Sequence, residues 1–423
     1  ATMLRSPPLN GQFSTTLGSE RQDLHIDLRG GNFRLIAEAT HASENIALPQ
    51  LRLESGDARL AAHGQLDLQA PRRFTVEGEL QRFDPSRFGS LPAAQINARL
   101  KADGQLSPHP VLEAGFVLQD SRLAGQPLSG EGRLAIDWPR VPRVDIRLAA
   151  GANRLTALGA LGQPGETLAL DLAAPQLGPY GLEGGIEGHF ELSGKATAPR
   201  LAGTLASARI GLPGIVRLNG LTLKTEIGGE ANWPFALRID IAGLDTPDQP
   251  ALARTINLQG DGTRQAHRLT ASALLPGDAR LNLLAEGGLA DEQTTWQGRL
   301  SEARLSSPDP SRNIVLAAPA PLTVSAAAWN LGPAKISGNP LDWQATLQAG
   351  ADSRQLRANL GVVHNRFGRY DAALAALHRA IALERRPGHP LLAVYHRDLG
   401  NVHYRRGRYR DAEVAYALAV AIG

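Results

Sequence analysis

Four groups of residues have types and spacings that invite a chemical reading. Gly260-Asp261-Gly262 begins like a dinucleotide loop, whose glycines let backbone N–H groups approach a pyrophosphate. Gln265 stands where the third glycine would be and no helical pattern follows, so a β-turn is the expected reading. Gly181, Gly184, Gly185 and Gly188 read likewise as turn and bulge glycines at a strand edge. His396 and His403 are seven apart and would put two imidazoles on one helical face. A zinc pair is more naturally four apart, so packed or solvent-facing histidines are expected there. Glu183, Glu187 and Glu191 recur at every fourth position, but on a strand such residues share one side, which makes them a solvated face. No Gly-x-Ser-x-Gly elbow, His-Glu-x-x-His pair, EF-hand loop or cysteine occurs in the sequence. The expectation is a chain without catalytic residues, metal or cofactor.

The elements that would position any site are strands. Leu24-His25-Ile26-Asp27-Leu28, Val144-Asp145-Ile146-Arg147-Leu148 and Leu168-Ala169-Leu170-Asp171-Leu172 alternate apolar and polar residues. Residues 221–227 and 237–241 do the same. Each such segment has one greasy and one wet face. Turns such as Gly30-Gly31-Asn32, Gly56-Asp57, Gly228-Gly229-Glu230 and Gly277-Asp278 separate them over residues 10–350. Pro-containing loops at Pro108-His109-Pro110, Pro139 to Pro142, Pro247 to Pro250 and Pro308 to Pro310 punctuate the run, and each argues against a central-strand position. At about 15 residues per strand and turn, the region supplies on the order of 20 strands, or about 100 Å of stacked sheet. Leu24, Ile26, Leu28, Ile146, Leu170, Leu223, Ile239 and Ile241 are the candidate lining of its apolar side. A sheet curled into a trough and a series of closed sandwiches both satisfy this pattern.

Of 423 residues, 43% are hydrophobic, 20% charged and only 5% aromatic, with 45 Gly and 28 Pro, which suits a folded, turn-rich β protein. The net charge of +3 is uneven. Residues 352–423 hold twelve Arg, no Lys and six acids, hence +6, leaving −3 for the rest. That basic tail has no aromatic platform beside its arginines, so nucleic acid is not an expected partner. No stretch approaches the roughly 18 apolar residues of a spanning helix, and Ala1-Thr2-Met3-Leu4-Arg5 is not followed by the apolar core of a signal peptide.

From about Ser353 the apolar period changes from two to nearly four, predicting helices. Asn359-Leu360-Gly361, Gly368-Arg369-Tyr370, Ala373, Leu377 and Ala380 return 39 residues later as Asp398-Leu399-Gly400, Gly407-Arg408-Tyr409, Ala412, Tyr416 and Ala419. Small residues fall where paired helices touch, and Gly368 and Gly407 supply turns. The tail, residues 353–423, resembles two tetratricopeptide repeats, with Arg385-Arg386-Pro387-Gly388-His389-Pro390 carrying the extra length seen in the kinesin-light-chain type. Arg357, His364 and His403 stand where larger aromatics are commoner. The resemblance implies a protein or peptide partner. Arg397 and Asn401 occupy first-helix positions from which such repeats grip a peptide carboxylate, with Arg405 one turn further. Ala358 and Val362 leave the first repeat without its half of that clamp.

The β-region, residues 1–350, resembles the TamB family, the translocation and assembly module subunit of the Gram-negative envelope, with its AsmA-like relatives. The carrying residues are 56–64 (Gly56-Asp57 to His63-Gly64), Phe83-Asp84-Pro85-Ser86-Arg87-Phe88, Ala93 with Gln95-Ile96-Asn97, and 120–125 (Asp120-Ser121 to Ala124-Gly125). Gly260-Asp261-Gly262-Thr263 with His267, Trp296-Gln297-Gly298-Arg299-Leu300 and 318–322 continue the order. The resemblance implies a mainly β fold, a long twisted sheet curled like a taco into an apolar trough, here followed by the helical module. It further implies a non-enzymatic periplasmic protein carrying phospholipid acyl chains between membranes, with an outer-membrane barrel partner. Against the family the chain reads as an interior segment: the inner-membrane anchor and the barrel-meeting C-terminal segment have no counterpart in it, and the repeat tail is foreign to the family pattern. Few contacts are expected across a junction near Ala349-Gly350-Ala351-Asp352. A second hypothesis treats the sheet as a spacer and the basic tail as the binding element of an interaction scaffold.

Overall fold

The computed structural model describes residues 10–87, 91–229, 232–290, 295–325, 328–338, 343–350, 370–384 and 390–422, in which there are 25 strands and three helices. Residues 1–261 with 273–276 form one compact unit, and residues 262–272 with 277–423 another. The junction expected near residues 349–352 borders residues 351–369, which lie outside the described residues, as does the first helix of the first repeat.

In the first unit the chain runs as a meander. From Asn10–Leu17 to Phe235–Thr246 each long strand is antiparallel to its predecessor. Two-residue connections close many of the hairpins, and they need left-handed backbone to match the strand twist. Gly31 supplies it between Arg21–Gly30 and Phe33–Ala42, and Ala124-Gly125 between Val111–Leu123 and Gln126–Asp137, with φ of 49° and 77° at the latter pair.

Prolines do not all break strands as expected. Pro142 lies inside Arg140–Ala150, where the register shifts between Val141 and Val144. Pro49 sits at the shift between Leu48 and Leu51, and Pro333 at the one between Leu331 and Ala334. A bulge leaves one residue out of the ladder, so a residue without an N–H costs nothing there. Gly260-Asp261-Gly262 is also not a turn: it ends the strand Gln249–Gly262, and the turn follows, closed by the Thr263 N–H donating to the Ala266 carbonyl at 2.8 Å.

In the second unit Ala279–Leu289 pairs with Trp296–Ser306. That strand meets two short ones, Ile314–Leu316 and Ala320–Val324, which both pair with Ala328–Gly338. Ala320, Leu331 and Ala334 are buried there against Leu300, Leu322 and Ile336. The helices are α1 (Tyr370–Leu383), α2 (Pro390–Arg405) and α3 (Tyr409–Ile422). Ala373, Leu377 and Ala380 of α1 pack with Leu392, Tyr395, Leu399 and Val402 of α2 and Ala415 of α3. Gly400 is required at its place, because a β-carbon there would stand 2.6 Å from the Tyr416 ring. Gly407, at φ 74°, turns the chain from α2 into α3.

Candidate functional site

Directly paired residues on antiparallel strands share a face, so the register can be followed across the whole first sheet. One such row runs Phe13, Ile26, Ala37, Leu51, Ala62, Gly78, Leu100, Phe116, Gly132, Ile146, Ala157, Leu170, Phe190, Gly203, Thr225, Leu237. It crosses sixteen strands with a single polar side chain. Beside it, two residues along each strand, runs Gly11, Leu28, Leu35, Leu53, Leu60, Leu80, Ala98, Leu118, Gly130, Leu148, Leu155, Leu172, Gly188, Leu205, Leu223, Ile239. At about 4.8 Å per strand each row is roughly 70 Å long.

All eight candidate lining residues lie on this face. Ile26, Ile146 and Leu170 belong to the first row, and Leu28, Leu223 and Ile239 to the second. Leu24 is two residues from Ile26, and Ile241 pairs with Leu221, two residues from Leu223. Seven of the eight are half-buried and Ile241 is buried. Sequence reasoning picked these eight and passed over the other leucines of the second row, although the same alternation marks them. Among the described residues the two clusters of buried apolar side chains both belong to the second unit. Strands of the first unit make their substantial contacts with ladder neighbours, and among the described residues of that unit no second layer packs on the apolar rows.

Glycines keep those rows low where aromatics cross them. A β-carbon on Gly132 would stand 2.3 Å from the Phe116 ring, and one on Gly203 would stand 2.2 Å from the ring of Phe190. Each phenylalanine therefore lies down over its directly paired glycine.

The opposite face is charged. Asp27 receives both Arg34 and Arg29, at 2.9 and 3.0 Å, and these guanidinium groups, Arg34 foremost, hold its carboxyl well below the usual carboxylate range. Arg140 pairs with Glu166, and His189 lies 2.6 Å from Asp171 and 3.5 Å from Glu191. Asp171, then Glu191, push the His189 imidazole up. Glu183 pairs with Arg217, but it stands on a separate two-residue strand whose register against Ala198–Leu212 is one residue out of step with that of Glu187 and Glu191, so the three glutamates do not form one regular strand series. A hollow of about 960 Å³ lies over this charged face between Phe33–Ala42 and Arg140–Ala150, floored by Ala61, Gly115 and Val117.

On α2, Arg397, Asn401 and Arg405 are all exposed and recur every fourth residue, so they share one helix face. Arg397 donates to Asp398 at 3.1 Å, and the Asn401 side-chain carbonyl accepts from the Tyr416 hydroxyl at 2.8 Å. Ala358 and Val362 lie outside the described residues. His396 and His403 each bury an Nδ1 that finds no hydrogen bond, and burial pushes both imidazoles down. No group of His, Asp or Glu among the described residues is arranged to hold a metal ion. No helix among them is long and apolar enough to cross a membrane.

A family model described as TamB, N-terminal domain, matches residues 27–331, and one described as tetratricopeptide repeat matches residues 352–422. The translocation and assembly module subunit TamB of Haemophilus influenzae is 23% identical over 268 residues, covering 62% of this chain and 20% of that protein. The chain thus spans about a fifth of the length of the curated relative it matches. No solved structure matches.

Proposed function

The chain belongs to the TamB family, and from that premise we propose that its first sheet offers phospholipid acyl chains an apolar path, as a non-enzymatic part of transport between inner and outer membrane and of outer-membrane assembly. The observation that carries this reading is the pair of rows across sixteen strands, apolar but for Thr225, mostly half-buried and without a second layer on them among the described residues of that unit. Acyl chains need no directional bond to slide on such a surface, because apolar contact is non-directional and is worth about 0.8 kcal/mol per CH₂ removed from water. The lining we assign is Leu24, Ile26, Leu28, Ile146, Leu170, Leu223, Ile239 and Ile241, with the leucines beside them. On this reading the protein works in the periplasm, and an outer-membrane barrel would receive its cargo.

A photo-crosslinker at Leu223 tests the lining, since Leu223 is the direct cross-strand partner of Ile239. Ile239→Asp should reduce phospholipid adducts there by about tenfold or more, because an ionised carboxylate in an acyl path is strongly disfavoured. Undiminished adducts in a folded variant reject the lining.

A second reading rests on the tetratricopeptide match and on the shared exposed face of Arg397, Asn401 and Arg405. The module would grip the C-terminal carboxylate of a partner protein, using guanidinium forks and an amide. Removing residues 353–423 separates the two readings: lipid adducts persist and partner capture disappears if both modules act independently. Loss of the adducts would instead tie lipid binding to the tail.

A further inference from the structure

We propose that the charged face of the first sheet carries an oxyanion site over Gly115, between Arg99 and Arg133, that takes a phosphate-type group. The hollow on that face is lined by five carboxylates and five Lys or Arg side chains. Formal charge balances there, but the pairing does not. Four of the five carboxylates lie against other basic side chains: Glu77 by Lys101 at 3.1 Å and His63 at 3.6 Å, Asp145 and Glu131 by Arg147 at 3.1 and 3.9 Å. Glu38 lies 3.5 Å from His25, and Glu79, the direct cross-strand partner of Arg99, accepts from the Gln81 amide at 3.2 Å; Asp145, the direct partner of Arg133, turns to Arg147 instead. Arg99 and Arg133 are exposed, and among the described residues neither has an ion pair or side-chain hydrogen bond.

The register places these two around a gap. Gly115 is the direct partner of Lys101 on one side and of Arg133 on the other, and Val117, the next residue on that face, is the partner of Arg99. Lys101 and Arg133 thus flank a position with no side chain, their backbones about 10 Å apart across two strand spacings. Arg99 lies diagonally across the same gap, about 12 Å from Arg133. Two extended guanidinium groups reaching inward over a glycine can share one oxyanion, each through paired N–H donors, a geometry that a lysine alone does not offer. A β-carbon on Gly115 would meet the Gly132 carbonyl at 3.3 Å, a tight contact that a small backbone shift must relieve, and no other atom within 4 Å.

Equilibrium dialysis of the full chain against labelled pyrophosphate at low ionic strength tests the site. Arg99→Gln and Arg133→Gln should each weaken uptake by about fivefold or more, and Gly115→Glu should abolish it. Arg52→Gln, which removes a third unpaired arginine three strands away from Arg99, should change it by less than about twofold. Absence of uptake by the unaltered chain overturns the proposal, as does equal loss from Arg52→Gln and Arg133→Gln, the mark of a diffusely positive surface. Flotation with phosphatidylglycerol vesicles then separates the sources. Vesicle binding that Arg99→Gln and Arg133→Gln remove assigns a lipid headgroup, and pyrophosphate uptake without vesicle binding assigns a soluble phosphate.

Discussion

Phe116 and Gly132 illustrate what a single residue contributes to this surface. Either alone reads badly on a strand: glycine leaves backbone bare, and a phenylalanine standing upright would block the apolar path. Paired across the ladder, the ring covers the glycine and the surface stays level. Gly132→Val and Gly203→Val should therefore each destabilise the sheet by about 1–3 kcal/mol, since the ring must leave its place. Gly115→Ala, on the charged face, where a β-carbon would meet only the Gly132 carbonyl at 3.3 Å, should change stability by less than about 1 kcal/mol. Urea unfolding of the three variants checks this, and equal effects at Gly132 and Gly115 would mean that the rings do not constrain the glycines. None of these pairings was legible in the sequence, because ring and glycine meet only through strand register. The same is true of Arg99 and Arg133: Glu79 and Asp145 are their direct cross-strand partners, yet these carboxylates bond Gln81 and Arg147 instead.

At the scale of elements, alternation was enough to locate strands such as Arg21–Gly30 and Phe235–Thr246, and the 39-residue repeat located the helices. It failed at Pro49, Pro142 and Pro333, where bulges absorb the missing donor, and a bulge leaves no mark in composition. Sheet and helices also carry opposite histidine chemistry. His189, raised by Asp171 and Glu191, contributes stability that is complete below the unfolded value of about 6.5 and is lost as pH rises through its higher folded value. His396 and His403 of α2 are lowered, chiefly by burial, with His378 of α1 adding repulsion to both. Around His403, Arg406 and Arg408 act in the same sense, and Asp411 of α3 opposes them. Their protonation favours the unfolded chain, so the helical module should lose stability as pH falls from about 6.5 through the folded values. Carboxylates such as Asp27 and Glu166, held low by arginines, stay ionised until about pH 4 and below. Between pH 7 and 5, helical ellipticity should thus melt at a lower temperature while the β signal does not. His396→Gln with His403→Gln should remove the difference. A pH-independent helical midpoint in the unaltered chain would show that neither imidazole is held neutral by the fold.

Over the whole molecule, what matters is that the apolar rows do not stop. A sheet core needs only local burial, and its rows can be broken by polar residues wherever a second layer ends. A path for a mobile chain needs continuity, which the register provides from Phe13 to Leu237 with Thr225 as the one polar side chain in the first row. Ile146 lies near the middle, paired with Gly132 and Ala157, so a charge there interrupts the path while disturbing small neighbours only. Ile146→Asp, with crosslinkers at Leu28 and at Ile239, distinguishes a conduit from a set of separate pockets. If lipid enters from one end, adducts should persist at the crosslinker on the entry side and fall by about tenfold at the other, and the side that keeps them gives the direction of travel. Phe13→Asp, at the outermost described strand and 67% exposed, should reduce adducts only if loading begins there. Adducts unchanged at both crosslinkers in a folded Ile146→Asp chain would mean that each segment of the sheet takes lipid independently, and continuous transport along the rows would then be abandoned.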